Sequence, residues 1–278
     1  MPAIQPARMK IQVALLGEKS RQPEAFVREL HRLLDFYADR THRPGQFGEP
    51  PPLLATYKTP LPVMRQIERE IATLAADPPS AGGPSTAGSF STAFNLVDAL
   101  WAEAFLEFRR LAITLLGRIP PTPPEPVIER VRAWIATNPE NLIQEAILEH
   151  GLARIRQETP AQFYPLVEDW LRAEAVYPRQ AGLRALSYLV QDTGYENIPA
   201  VLRLILPWIR ATPAPLRQEV LSVLRALAGH FPQEASYILR QNLSGDRPDT
   251  IWLARQTLND FPPEIQSSLR EVLRTYPM

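Results

Sequence analysis

The stretch PAQFYPLVEDWLRAEAVYPRQAGLRALSYLVQ, residues 160–191, reads as two helices, each opened by a proline. Pro160 and Pro178 fall at or near a first turn, where the missing N–H is no loss because that donor has no partner within the helix. The spacing predicts helices over 160–174 and 178–192. Outward from this pair the same punctuation recurs at Pro124, Pro139, Pro215, Pro232 and Pro262. It predicts further helices over 92–117, 124–137, 139–157, 197–211, 215–230, 232–243, 249–260 and 262–275, and leaves no room for strands.

The units repeat. Arg179-Gln180, Arg217-Gln218 and Arg255-Gln256 recur 38 residues apart, each read as opening an apolar helical stretch. Trp101, Trp134, Trp170, Trp208 and Trp252 are spread at intervals of 33 to 44 residues. Three of them follow an aliphatic residue by three positions, as Val131–Trp134, Val167–Trp170 and Ile205–Trp208. A period of about 40 residues with two helices per unit is the HEAT/armadillo signature. The fold class expected is therefore all-α, a HEAT-like helical-repeat superhelix, or α-solenoid. Helix pairs of this kind cannot bury their apolar faces alone and must stack, which creates a long concave surface suited to extended partners.

Toward the N-terminus, residues 9–16 are apolar and fit a short helix. Phe26, Leu30, Leu33, Leu34 and Tyr37 then share one face of a helix over 23–40. Residues 42–59, with Pro44, Gly45, Gly48 and three consecutive prolines from Pro50, read as loop. A helix follows Pro60 or Pro62, carrying Met64, Ile67, Ile71 and Leu74. The Gly/Ser/Pro-rich stretch 78–91 reads as a flexible linker. The organisation expected is N-terminal helices over 1–77 packing on the array, a linker over 78–91, and one continuous solenoid over 92–278.

Composition narrows the chemistry. The chain has no cysteine, which removes thiolate nucleophiles, disulfides and Cys-ligated zinc. No signal-peptide core or long apolar run is present, so membrane insertion is not expected and a cytoplasmic location follows by default. HExxH, GxSxG, Walker and GxGxxG patterns are absent. His31, His42, His150 and His230 lack ligand spacing, so no metal or cofactor is expected; His31 and His230 are read as lying on helix surfaces or near helix ends. The 278 residues carry 30 basic and 30 acidic side chains, so a nucleic-acid surface would require charge segregation rather than total charge. Of the basic residues, 27 are arginine, a bias that suits forked phosphate contacts and is equally explained by genomic base composition.

The arginine ladder, Arg179, Arg217 and Arg255, is the one constellation set by the repeat itself. Equivalent repeat positions would lie side by side, giving a phosphate track along one groove. Arginines so placed also brace adjacent repeats through carboxylates, and both readings stand at this level.

Several segments resemble the bacterial DNA alkylation repair family, the HEAT-like-repeat DNA glycosylases. Tyr57-Lys58-Thr59-Pro60 with Met64-Arg65-Gln66-Ile67 resembles its opening segment. Residues 96–101 and 107–112, the latter including Arg110, look like its "L-x-x-x-L-W…E-x-R-x-L-A" helix. Residues 141–145 look like its "W-D-x-x-D" helix start, residues 177–181 are similar to its "W-V-R-R-A", and the helix from Leu216 to Leu227 is similar to a further conserved helix. The resemblance implies duplex DNA bound in a basic concave groove, and hydrolysis of the N-glycosidic bond of a cationic alkylated purine. In that scheme an Asp lies beside the deoxyribose, and tryptophans contact the backbone. The Asp position falls on Glu145, the two Trp positions on Asn141 and Ser222, and the Arg position on Arg179, with Gln180 competing for the alignment. Glu145 is the catalytic candidate by this route; Arg110, Arg179, Arg217, Arg255 and Tyr177 are the candidate DNA contacts.

Two functions follow. One is a DNA-binding relative of the alkylation-repair glycosylases, acting on double-stranded DNA, alkylated or not, with excision impaired by the substituted site. The other is a non-catalytic scaffold that holds a protein partner on its concave face, for which a mixed or acidic groove is expected.

Overall fold

The computed structural model describes residues 5–39, 53–76, 86–192, 194–195, 197–244 and 246–276. Among them there are fifteen α-helices and no strand, only an isolated bridge between Ala55 and Phe105. The fold is all-α and of the HEAT-like helical-repeat class. The chain divides into two compact units, Met1–Trp134 with Asn138–Pro160, and Ile135–Thr137 with Ala161–Met278.

The first unit is built from α1 (Pro6–Gly17), α2 (Pro23–Tyr37), α3 (Leu61–Ala76), α4 (Thr86–Ala102), α5 (Leu106–Leu116), most of α6 (Glu125–Thr137), α7 (Asn141–Ala146), a π turn (Ile147–Gly151) and α8 (Ala153–Glu158). α3 packs on α1 and α5, α2 packs on α4, and α5 packs on α7 and the π turn. Phe26, Leu30, Leu34, Ile67, Ile71, Phe108 and Leu111 are fully enclosed at the centre. Burying each such side chain contributes about 1.5–3 kcal/mol.

The second unit holds α9 (Pro160–Arg172), α10 (Val176–Gln191), α11 (Ile198–Arg210), α12 (Arg217–His230), α13 (Pro232–Asn242), α14 (Pro248–Gln256) and α15 (Pro263–Arg274). α10 packs against α11 and α12, and α13 against α11, α12 and α15. Leu186, Val201, Ile205, Val220, Leu224 and Leu239 fill the space between them. Gly182 lets α10 approach α9 closely, since a β-carbon there would meet Leu171 Cγ at 2.9 Å.

Proline punctuation holds at Pro160, Pro232 and Pro262, while Pro165 and Pro207 lie inside α9 and α11. Two boundaries differ from the sequence expectation. The single helix expected over 92–117 is broken at residues 103–105, where Phe105 is extended (φ −119°, ψ 138°) and bridges Ala55. The Leu106 N–H donates to the Ala55 carbonyl at 2.9 Å, a long-range bond that local helical pattern cannot announce. The helix expected over 139–157 contains the π turn at Ile147–Gly151. The linker expected over 78–91 is helical from Thr86 onward; residues 77–85, like 40–52, lie outside the described residues.

Candidate nucleic-acid interface

In the second unit the arginine ladder is engaged internally. Arg179, in the first turn of α10, donates through Nε to the Ala173 carbonyl and lies over the Trp208 ring, 5.6 Å from its centroid. Arg217 opens α12, pairs with Asp249 at 3.5 Å and lies 5.2 Å over the Trp252 ring. Asp249 also accepts from the Thr212 N–H at 3.0 Å, which ties the start of α14 to the loop before α12. Arg255 does not open a helix. It sits in the last turn of α14 and donates to the Tyr276 carbonyl. The 38-residue spacing therefore places two arginines in equivalent helix-start positions and the third elsewhere. Arg184 and Glu219 add a part-buried ion pair at 2.9 Å between α10 and α12. Tyr177 is 38% exposed at the start of α10, beside buried Pro178.

The tryptophans are packing groups. Trp134 and Trp170 are buried, and Trp101 stacks on Trp134 with centroids 3.9 Å apart. Arg109 lies over Trp101 at 4.9 Å, and its burial lowers the guanidinium pKa below the usual arginine range.

In the first unit, Glu145 is exposed on α7 and has no partner among the described residues. Asn141 is exposed one turn earlier on the same helix; Ser222 is exposed on α12 of the second unit. At the positions where the resemblance placed aromatic walls, the chain presents only small polar side chains.

Arg110 has a different setting from the ladder. It is exposed on α5 and lines a recess of about 490 Å³ together with Arg65 and Arg69 of α3, Arg118 just past α5, and His150 and Arg154 of the segment that includes the π turn. Arg154 is already neutralised by a two-pronged contact with Glu158, at 2.6 and 3.1 Å, and its remaining nitrogen donates to the Arg118 carbonyl at 2.8 Å. Arg65, Arg69, Arg110 and Arg118 make no side-chain hydrogen bond or ion pair with any described residue. Glu68 is the one carboxylate in the lining. The floor is small, with Ala72, Gly117, Ala146 and Ala153. Gly117 is required there: a β-carbon would lie 2.0 Å from the His150 carbonyl oxygen. Of these arginines, sequence reading singled out Arg110 alone. The available signal for the others was helical spacing, Arg65/Arg69 and Arg110/Arg118 at four and eight residues apart, opposite the buried faces.

A second cluster went unread in the sequence. The Tyr57 hydroxyl lies 2.7 Å from His31 Nδ1, and His31 Nε2 lies 3.1 Å from a Glu103 carboxylate oxygen. The rings of Phe105 and Phe108 stand against the imidazole, and Tyr57 stacks on Phe105 at 4.7 Å. His31 is thus a half-buried joint between α2, the 53–60 segment and the α4–α5 corner, rather than the surface histidine expected. Among the described residues no group of acidic and histidine side chains could hold a metal ion.

The sequence profile of the DNA alkylation repair enzyme family matches residues 84–277, most of the chain. The chain belongs to that family. Family-matched positions supply Arg110, Arg118, His150 and Arg154 to the recess, whereas Arg65 and Arg69 come from α3, ahead of the matched stretch. The fold is shared with solved structures. Smu.31 from Streptococcus mutans UA159 has a TM-score of 0.54 at 16% identity, covering 72% of this chain and 98% of that one. AlkD2 from Streptococcus mutans has a TM-score of 0.53 at 15% identity, covering 71% and 99%. No curated protein matches the sequence. Among the described residues no helix is long and apolar enough to cross a membrane.

Proposed function

We propose that this member of the DNA alkylation repair family binds DNA through the basic face of its first unit and excises no base. The observation that carries this is the recess itself: four guanidinium groups with no hydrogen-bond or ion-pair partner among the described residues against one carboxylate, in a chain whose formal net charge is zero. Such segregation supports contact with phosphates, for which the arginine fork is suited. A protein-holding scaffold would call for a mixed or acidic lining instead.

The excision half of the proposal rests on what surrounds Glu145. Cleavage of a glycosidic bond needs a carboxylate held against the sugar and preorganised groups around the developing charge. Glu145 is solvated and unpartnered, and Asn141 and Ser222 supply no aromatic faces. Arg179 and Arg217 act in this reading as braces between helices, because Arg179 lies over Trp208 and Arg217 contacts both Asp249 and Trp252.

The test is binding of a fluorescent duplex at two salt concentrations. Binding should weaken with salt, and Arg110→Gln and Arg118→Gln should each reduce the log–log salt slope by about one unit if each neutralises one phosphate. Absent or salt-independent binding by the parent protein would overturn the proposal.

A further inference from the structure

We infer that the recess of the first unit is a pocket for a terminal phosphate monoester, the phosphorylated end of a DNA strand. This inference rests on the DNA-binding reading above and adds which part of the DNA the recess takes.

Charge is the first argument. Four unpaired arginines against Glu68 leave a threefold positive excess in about 490 Å³. An internal phosphodiester carries a single charge and offers two terminal oxygens. A monoester carries nearly two charges and three strong acceptor oxygens; together with the adjoining diester it matches the excess in the recess. Arginine forks gain most where several oxygens of one group can be met in pairs.

Shape is the second argument. The four arginines line one and the same recess. They approach one space from two helices, α3 and α5, and the third wall is the segment that includes the π turn. Ala72, Ala146, Ala153 and Gly117 contribute the small side of the lining, so little side-chain bulk occupies the space. The phosphates within a continuous duplex are spaced out along its backbone, whereas a strand end presents a terminal phosphate beside its neighbouring diester.

Origin is the third. α3, which brings Arg65 and Arg69, precedes the stretch matched by the family profile, so the recess joins residues from inside and outside that stretch.

The experiment compares four probes of one sequence by anisotropy: duplexes with 5′-phosphate, 3′-phosphate or only hydroxyl ends, and a covalently closed circle. The result expected is about tenfold tighter binding of one phosphorylated duplex than of the hydroxyl-ended one, the worth of roughly one added charge-assisted contact. Arg65→Gln/Arg69→Gln should abolish that preference with the melting temperature unchanged, since neither side chain has a hydrogen-bond or ion-pair partner among the described residues. Equal affinity for all three linear duplexes, with the circle still bound, would overturn this inference and leave DNA binding intact. A preference that survives the double substitution would also overturn it. Failure to bind any probe, the circle included, would overturn the DNA-binding reading and this inference with it.

Discussion

At the scale of single residues, Gly117 is the most constrained position in the recess. The His150 carbonyl would stand 2.0 Å from an added β-carbon, and that carbonyl is backbone in a packed turn, not a side chain that can swing away. Gly117→Ala should therefore destabilise the fold by at least the ~1–3 kcal/mol typical of overpacking. It should also displace the π turn and weaken duplex binding. A variant with unchanged melting temperature would show that the two helices separate more readily than their packing implies. Arg179 and Arg217 make a contrasting case, since both contact side chains of the second unit, Trp208 for the one and Asp249 and Trp252 for the other. Arg179→Ala removes a stacked contact on Trp208, worth about 0.5–1 kcal/mol at a partly exposed site. It should lower the melting temperature while leaving the salt slope of DNA binding where it was. An unchanged melting temperature with a flattened slope would return Arg179 to the interface.

Tyr57 gives a residue-scale dependence on pH. Burial comes first among the causes, followed by the charges of Asp35, Glu107 and Glu103, and together they hold its phenol above the usual tyrosine range. The folded protein thus keeps the phenolic proton when the unfolded chain has begun to lose it. The stability this group lends is complete below about pH 10 and is lost as pH rises through the folded value. Tyr57→Phe, which forfeits the hydrogen bond to His31, should cost about 1 kcal/mol at neutral pH. The same variant should lose less stability than the parent between neutral and strongly alkaline pH, as measured by denaturant unfolding. Parallel losses in both proteins would remove Tyr57 as the titrating group.

At the scale of elements, the segment from α7 through the π turn to α8 carries both halves of the functional argument. Its sequence is a good helix throughout, and periodicity alone predicts one uninterrupted element over 139–157. The π turn arises where the chain must pass Gly117 and keep Ile147, Leu148 and Leu152 buried, a demand set by α5 and not by the segment itself. π turns often mark functional places in helices, and here His150 stands on the recess wall while Glu145 projects into solvent one turn before it. Glu145→Gln removes a carboxylate that holds no partner, so it should leave the release of methylated purines at the spontaneous level, as in the parent protein. Release by the parent above that level, abolished in Glu145→Gln, would show that the family's chemistry survives with a rebuilt site.

At the scale of the whole molecule, a formal net charge of zero removes any general attraction to DNA, so affinity must come from the few phosphates that meet unpaired arginines. With about −0.9 per phosphate engaged, the log–log salt slope for a duplex should be roughly −2 to −4. A slope near −10 would require a long basic track and would favour the ladder reading over the recess. The sequence by itself determined the helical class, most helix starts, the repeat, and the absence of the metal, nucleotide-loop and thiol motifs, because each of these is written within a turn or two of chain or in composition. Proline at a first turn and apolar residues three and four apart act on their own neighbourhood. Tertiary structure alone decided which arginines are free. Arg65 and Arg110 come from helices far apart in sequence, and only packing of α3 on α5 brings them to one space. Packing likewise delivers Trp208 and Asp249 to Arg179 and Arg217, contacts that the 38-residue spacing did not announce. A guanidinium's availability depends on what stands within a few ångströms of it, and that is fixed by contacts between distant segments, which local pattern does not encode.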